Sequence, residues 1–398
     1  MKRGSTGTYE TTVTAGESVQ AFTPFPLPPE PELQLVGPLQ IQLEQATLAC
    51  GRLDGISGLL PDPELFLYAY VRREAVLSSQ IEGTQSSLSD LLLFELDELP
   101  GVPFDDVVEV SSYVAALEHG MKRLSEGFPI SGRLLREVHA VLLARGRGAN
   151  KLPGEFRRTQ NWIGGTRPGT ARFVPPVPAA LPQCISDLEK YLHAADRQPT
   201  LVTAALAHVQ FETVHPFLDG NGRVGRLMIS LILHESGVLR QPLLYLSLFL
   251  KQHRDEYYWH LANVRATGDW EHWLQYFLEG VAQTATEAVD TAHRLLKIFR
   301  EDEIQTTSVK RNRESVRQVF EAMRARPIAN IGILARRTGL TFATVAKGVN
   351  SLVELGILKE LTGGKRGRVF AYDRYVQVLN EGAEPLSSAK QKRNREIS

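Results

Sequence analysis

The stretch that most constrains this chain is His215-Pro216-Phe217-Leu218-Asp219-Gly220-Asn221-Gly222-Arg223-Val224-Gly225-Arg226. It gathers one imidazole, one carboxylate, one amide, three glycines and two guanidiniums. Upstream, Leu201, Ala204, Ala205, Ala207, His208, Phe211 and Val214 recur at helical spacing. Downstream, Leu227, Met228, Ile229, Leu231, Ile232 and Leu233 form an almost wholly apolar run, which fits a helix buried on most sides. The stretch is therefore a loop between two core helices, and the second begins near Asn221 or Gly222.

That placement gives each residue a chemical use. Gly220, Gly222 and Gly225 allow a tight turn and a close ligand approach. A helix start presents unpaired N–H groups and a positive dipole end, which suit phosphate. Arg223 and Arg226, three apart, share a helix face and can clamp a polyphosphate. Asp219 offers a hard oxygen to Mg²⁺, which usually takes one or two carboxylates plus phosphate oxygens. His215 can accept a proton near neutral pH. Taken singly, each feature is a common turn, a solvated helix face or a structural histidine, and the conjunction is what carries the reading. The phosphate-loop pattern Gly-x-x-x-x-Gly-Lys-Ser/Thr is absent.

At every fixed position the stretch resembles the Fic family signature, His-Pro-Phe-x-Asp/Glu-Gly-Asn-Gly-Arg-x-x-Arg. The resemblance implies a mostly helical core that transfers AMP from ATP to a hydroxyl side chain of a protein. It implies His215 as the base, Asp219 as the Mg²⁺ ligand and Gly220, Asn221 and Gly222 as an anion hole. It implies Arg223 on the inner phosphates and Arg226 on the γ-phosphate, with Val224 and Gly225 within the same nucleotide-binding run. Upstream, Ser78-x-x-x-Glu82-Gly83 resembles the inhibitory motif of one Fic class, so Glu82 would occupy the Arg226 guanidinium and displace the γ-phosphate. Independently of that, Gly83 is a helix stop, and a carboxylate in a last helical turn invites a cationic partner.

Composition bounds the rest. The 398 residues suffice for two or three domains, and 43% hydrophobic with 23% charged is ordinary for a soluble globular protein. Net charge is zero, but from Lys310 onward 18 basic residues face 8 acidic ones, so the C-terminal quarter is a basic module with its own partner preference. Cys50 and Cys184 are too few and too far apart for a disulfide framework or zinc pattern, and fit free thiols in a reducing cytoplasm. Residues 1–10 lack the apolar core of a signal peptide, and Leu227–Leu250 is too interrupted to span a membrane.

In chain order, residues 1–38 read as a mobile, then extended Pro-rich arm. Residues 39–104 form an N-terminal helical segment carrying the motif 78–83, with a turn at Pro61-Asp62-Pro63 and a helix from Asp90 to Leu99. The catalytic domain covers 105–300, its core about 130–281. Within it, Phe156–Pro178 reads as two short strands around a glycine-rich turn. The resemblance makes this the flap that pairs with a target peptide, with Thr170, Ala171, Arg172 and Phe173 nearest the nucleotide. Tyr257, Tyr258 and Trp259 either pack in the core or stack on adenine, and the resemblance favours Tyr257 for the base.

A linker at 301–312 leads to 313–380, whose order resembles a winged helix-turn-helix. Its third helix would face DNA or a protein partner, and its basic turn would face phosphates. Residues 381–398 read as a disordered tail. The expected fold class is mostly α: a helical Fic core with a β-hairpin flap, an inhibitory helical segment and a C-terminal winged helix. A homodimer follows from the resemblance. So do two alternatives, a Fic enzyme that moves another group or removes AMP, and a transcriptional regulator whose core senses a nucleotide.

Overall fold

The computed structural model describes residues 2–59, 63–96, 102–195, 198–363 and 367–385. The expected turn at 61–63, the far end of the helix expected to reach Leu99, the basic turn of the wing and most of the tail fall outside those residues in whole or in part.

The chain opens with a surprise. Residues 1–20 are not a mobile arm. β1 (Gly7–Thr14) and β2 (Glu17–Pro24) form an antiparallel hairpin in register from Gly7–Pro24 to Thr14–Glu17. Ala15 and Gly16, both at positive φ, make the two-residue turn that matches strand twist. Val19 and Ala21 face inward onto Val174, and Phe22 N–H donates to Val174 O at 2.9 Å.

Helices then dominate, as expected. α1 (Pro38–Leu59), α2 (Pro63–Ile81), α3 (Leu88–Phe94), α4 (Phe104–Ser125) and α5 (Gly132–Leu142) precede the flap segment. Ser87 caps α3 reciprocally with Asp90, and Ser131 caps α5 through Leu134 N–H. After the flap come α6 (Leu181–Leu192), α7 (Thr200–Val214) and α8 (Asn221–Glu235), then α9 (Ser247–Gln252), α10 (Arg254–Thr267) and α11 (Trp270–Thr306). α7 is mostly apolar and every side chain along it from Leu201 is buried, so it forms the axis of the core. α11 packs along α1 and runs unbroken to Thr306, which pushes the break assigned to 301–312 back to Thr307.

The flap strands do not form a ladder. One bridge joins Ile163 to Phe173, and a 3₁₀ turn fills Pro168–Thr170. Gly164 and Gly165 at positive φ and the prolines at 168, 175 and 176 leave few residues able to pair.

The last module runs α12 (Arg313–Ala325), β3 (Ile328–Asn330), α13 (Ile331–Thr338), α14 (Phe342–Glu354), β4 (Leu358–Glu360), β5 (Val369–Tyr372) and α15 (Asp373–Asn380). Its sheet order is β3-β5-β4, antiparallel throughout. β3 and α15 were not legible in the sequence. The module is bolted to α11: Tyr372 and Arg374 both donate to the buried Asp302 carboxylate, at 2.6 and 2.8 Å. The start of the supposed disordered tail is also fixed. Arg73, Gln80 and Lys251 donate to the carbonyls of Glu381, Ala383 and Gly382. No helix among the described residues is long and apolar enough to cross a membrane.

Candidate active site

The site forms where α7 ends and α8 begins. Its first component is backbone. His215 terminates α7 in the left-handed region (φ 47, ψ 59), and its N–H still donates to Phe211 O at 2.9 Å. A non-glycine residue in that conformation is costly and persists only when its surroundings hold it. Two groups hold it. Asn221 Oδ1 accepts from Phe217 N–H at 2.8 Å while Asn221 Nδ2 donates to Phe217 O at 2.9 Å, closing the loop on itself. The buried Arg157 Nε donates to His215 O at 3.0 Å. The Asn221 side chain is therefore committed to bracing the loop.

Beneath the loop lies His139 of α5, fully buried. His139 Nδ1 accepts from Gly154 N–H at 2.9 Å, so the proton sits on Nε2, which donates to Asp219 O at 3.0 Å. Its ring stacks on Phe217 at 3.7 Å, and burial pushes its pKa down to about 4, which keeps it neutral as a prop.

Gly220 takes positive φ before α8, and Asp219 Oδ1 accepts its N–H at 2.6 Å. The N–H groups of Asn221, Gly222 and Arg223 open α8 and have no intrahelical acceptor. With Glu82, Arg147, His215, Leu218, Asp219 and Gly220 they line a cleft of about 260 Å³. His215 faces this cleft with Nδ1 buried, so Nε2 is the nitrogen available to a reactant. Burial first, then the Arg157 charge, lowers the His215 pKa to about 4, so the ring is neutral at physiological pH.

The guanidiniums are occupied. Arg226, 2% exposed, donates from Nη2 to Glu82 Oε1 at 2.6 Å, and from Nε to Ser78 Oγ at 2.8 Å. The Ser78–Glu82–Gly83 motif thus meets the loop as the resemblance implied, with Gly83 at φ +103 stopping α2. Burial opposes the Glu82 charge, but Arg226, backed by Arg223 and Arg254, holds its carboxyl below the usual range. Glu82 also lies over Gly222, where any Cβ would strike its Oε1. Arg223 is equally buried and pairs with Glu109 at 2.9 Å and with Asp219 at 3.3 Å. Glu109 binds Arg147 as well, at 3.0 Å, and α4 gave no sign in sequence of carrying it.

Three expected site residues sit elsewhere. Val224 is fully buried, and Gly225 lets α8 approach Phe211 and His208 on α7, so both serve packing. Tyr257 is 1% exposed, with its hydroxyl 2.7 Å from His208 Nε2 and Trp273 beside its ring, leaving no face for a base. Its neighbour Tyr258 is only half-buried and lies in the field of Glu82, Arg254 and Arg226. One residue on along α10 turns the ring by about 100°, and Arg254 lies over it at 4.8 Å. The flap residues Thr170, Ala171, Arg172 and Phe173 lie outside the cleft. Ala171, Arg172 and Phe173 share a groove with Tyr9, Ser18 and Gln20 of the hairpin, and Arg265 stacks on Phe173 at 4.1 Å.

A left-handed histidine, an open helix start and an upstream carboxylate seated on a motif arginine define a helical Fic-type core. Two models of the Fic/DOC family match this part of the chain. The family's N-terminal model matches residues 41–122 and the Fic/DOC family model matches residues 129–233. A protein adenylyltransferase Fic from Drosophila ananassae is 28% identical over 215 residues, covering 53% of this chain and 39% of that protein. The Drosophila grimshawi protein of the same name is 32% identical, covering 53% of this chain and 40% of its own length. The matched region therefore spans about two fifths of these relatives. A Fic family protein from Desulfovibrio desulfuricans G20 shares the fold, with TM-score 0.55 at 19% identity over 85% of this chain and 96% of that one.

Proposed function

We propose that this chain is a protein adenylyltransferase, restrained by its own Glu82. The observation that carries the reading is the cleft in which a neutral imidazole faces the open N-terminal turn of α8, with Arg226 held at its back by Glu82. The relatives named protein adenylyltransferase support the same class of chemistry.

In this reading ATP lays its phosphates on the N–H groups of Asn221, Gly222 and Arg223. His215 Nε2 takes the proton from a target Ser, Thr or Tyr hydroxyl as that oxygen attacks the α-phosphorus, and pyrophosphate leaves. Asp219 would hold Mg²⁺: it lines the cleft, and its Oδ1 is engaged by Gly220 and Arg223. Among the described residues no cluster of three or more His, Cys, Asp or Glu side chains forms a resident metal centre. A metal arriving on the triphosphate needs one protein carboxylate, and here it would neutralise phosphate charge. Glu82 restrains the reaction by holding the guanidinium that the γ-phosphate requires, so ATP binds with its α-phosphorus out of line.

The direct test is mass spectrometry of the Glu82→Gly protein after incubation with ATP and Mg²⁺. Addition of AMP to a hydroxyl side chain supports the reading. Transfer of a bare phosphoryl group, or no transfer with ATP bound, overturns it.

A further inference from the structure

The least expected group near the base is a buried cation with no carboxylate partner among the described residues. Arg157 is 2% exposed. Its backbone N–H donates to Pro216 O at 2.9 Å. Among the described residues its side chain donates only to backbone carbonyls: Nε to His215 O at 3.0 Å, Nη2 to Pro176 O and to Val214 O, and Nη1 to Thr159 O at 3.5 Å. Burying a charge without a counter-charge is expensive, and here burial pulls the guanidinium pKa down to about 10. Such a cost is retained where the group organises something else.

What it organises can be read from its acceptors. Val214 and His215 carry the last carbonyls of α7, which lack intrahelical donors and form the negative dipole end. Thr159 and Pro176 lie at the two ends of the flap, on either side of the Ile163–Phe173 bridge. One planar fork therefore grips the helix end, the residue with the strained backbone, and both flap stems.

We propose that Arg157 is the positioning residue for the base: it caps α7, holds His215 in its left-handed conformation and ties that conformation to the flap. This rests on the reading of His215 as the base. A second consequence is electrostatic. The Arg157 charge beside the imidazole opposes its protonation, so the geometry that aims His215 also keeps it able to accept a proton. Two other charged groups act on the same ring, Glu82 at the end of α2 and Arg265 from α10, and the Glu212 backbone carbonyl of α7 favours its protonated form. Arg147, Asp219 and Arg223 share the cleft.

The test uses the full chain in the Glu82→Gly background, with Arg157→Met, Arg157→Gln and Arg157→Lys compared. Three readouts are taken: kcat and KM for ATP, the NMR titration of the His215 imidazole, and the melting temperature. Arg157→Met should lower kcat by tenfold or more while KM changes less than about threefold, because misaiming the base spares nucleotide binding. The His215 titration should rise from about 4 toward the ordinary value of about 6.5. Arg157→Lys keeps the charge but not the fork, so it should leave the titration low and recover only part of kcat. Arg157→Gln covers the case in which the methionine variant fails to fold.

A merely structural role predicts something else: lower melting temperature, kcat and KM changing together, and an unmoved His215 titration in every variant. That result, or full kcat in Arg157→Met, overturns the proposal. If the Glu82→Gly parent transfers no AMP, the functional reading fails on its own, and the NMR titration still decides whether Arg157 governs His215.

Discussion

Glu82 and Arg226 stand 144 residues apart in the chain and meet at 2.6 Å, directly over the first turn of α8. The contact is held from both sides. Ser78 binds the same guanidinium through its hydroxyl and its carbonyl, and Arg254 Nε donates to Ile81 O at the end of α2. The helix end that carries Glu82 is thus anchored independently of the ion pair.

That anchoring makes the effect of Glu82→Gly specific. Arg226 keeps its two Ser78 contacts and its orientation, and loses only the competitor. AMP transfer should rise by about 10- to 100-fold, the scale of recovering an aligned electrophile. Label transfer from α-labelled ATP measures it. An unchanged rate, with the variant folded, removes the inhibitory role from Glu82.

His215→Ala separates binding from chemistry. The phosphate-facing N–H groups belong to α8, and the loop is braced by Asn221 and His139, so the nucleotide site survives the change. In the Glu82→Gly background, transfer should fall by about 10²- to 10⁴-fold, the usual worth of a general base. ATP affinity by calorimetry should stay within about threefold. A matching loss of affinity points to a collapsed loop.

The loop and the Ser78–Glu82–Gly83 motif were readable because their chemistry is local: adjacent residues, each with one dominant use. What escaped was carried across the chain. Glu109 is one acidic residue among several on α4, and only the fold brings it to Arg223. His139 has the spacing of a core residue and is one, and only its two hydrogen bonds make it a prop. Tyr257 and Tyr258 differ by a single helical step that no periodicity of α10 fixes to better than a residue. The N-terminal hairpin was legible but overlooked. Val19 and Ala21 alternate with Ser18 and Gln20 after Ala15-Gly16, and a β-branched run, Thr11 to Thr14, precedes that two-residue turn.

The two tyrosines should part company on substitution. If the half-buried Tyr258 meets the base of a bound nucleotide, Tyr258→Ala should raise KM for ATP roughly three- to tenfold. Tyr257→Phe loses only the contact with His208 and should cost about 1 kcal/mol of stability with KM unchanged. Reversed effects on KM restore Tyr257 as the stacking residue.

Glu74 gives a test of the core beneath the inhibitory helix. Its carboxyl is buried on α2, accepts from the hydroxyl and N–H of Ser247, and is raised by burial to a pKa of about 7. Unfolded, the same group titrates near the ordinary carboxylate value of about 4.3. Between those values the folded state keeps a proton that the unfolded state has lost, so stability falls as pH climbs through the window. Glu74→Gln carries no such proton. Its stability relative to the parent should therefore improve from pH 5 to pH 8, by up to about 3 kcal/mol. Glu212, also raised to about 7 by burial, titrates in the same window but is common to both proteins and drops out of the difference. Urea titrations at each pH supply the comparison. A difference that stays flat across the range means Glu74 is ionised in the folded protein, stabilised by the nearby Arg226 charge more strongly than burial opposes it.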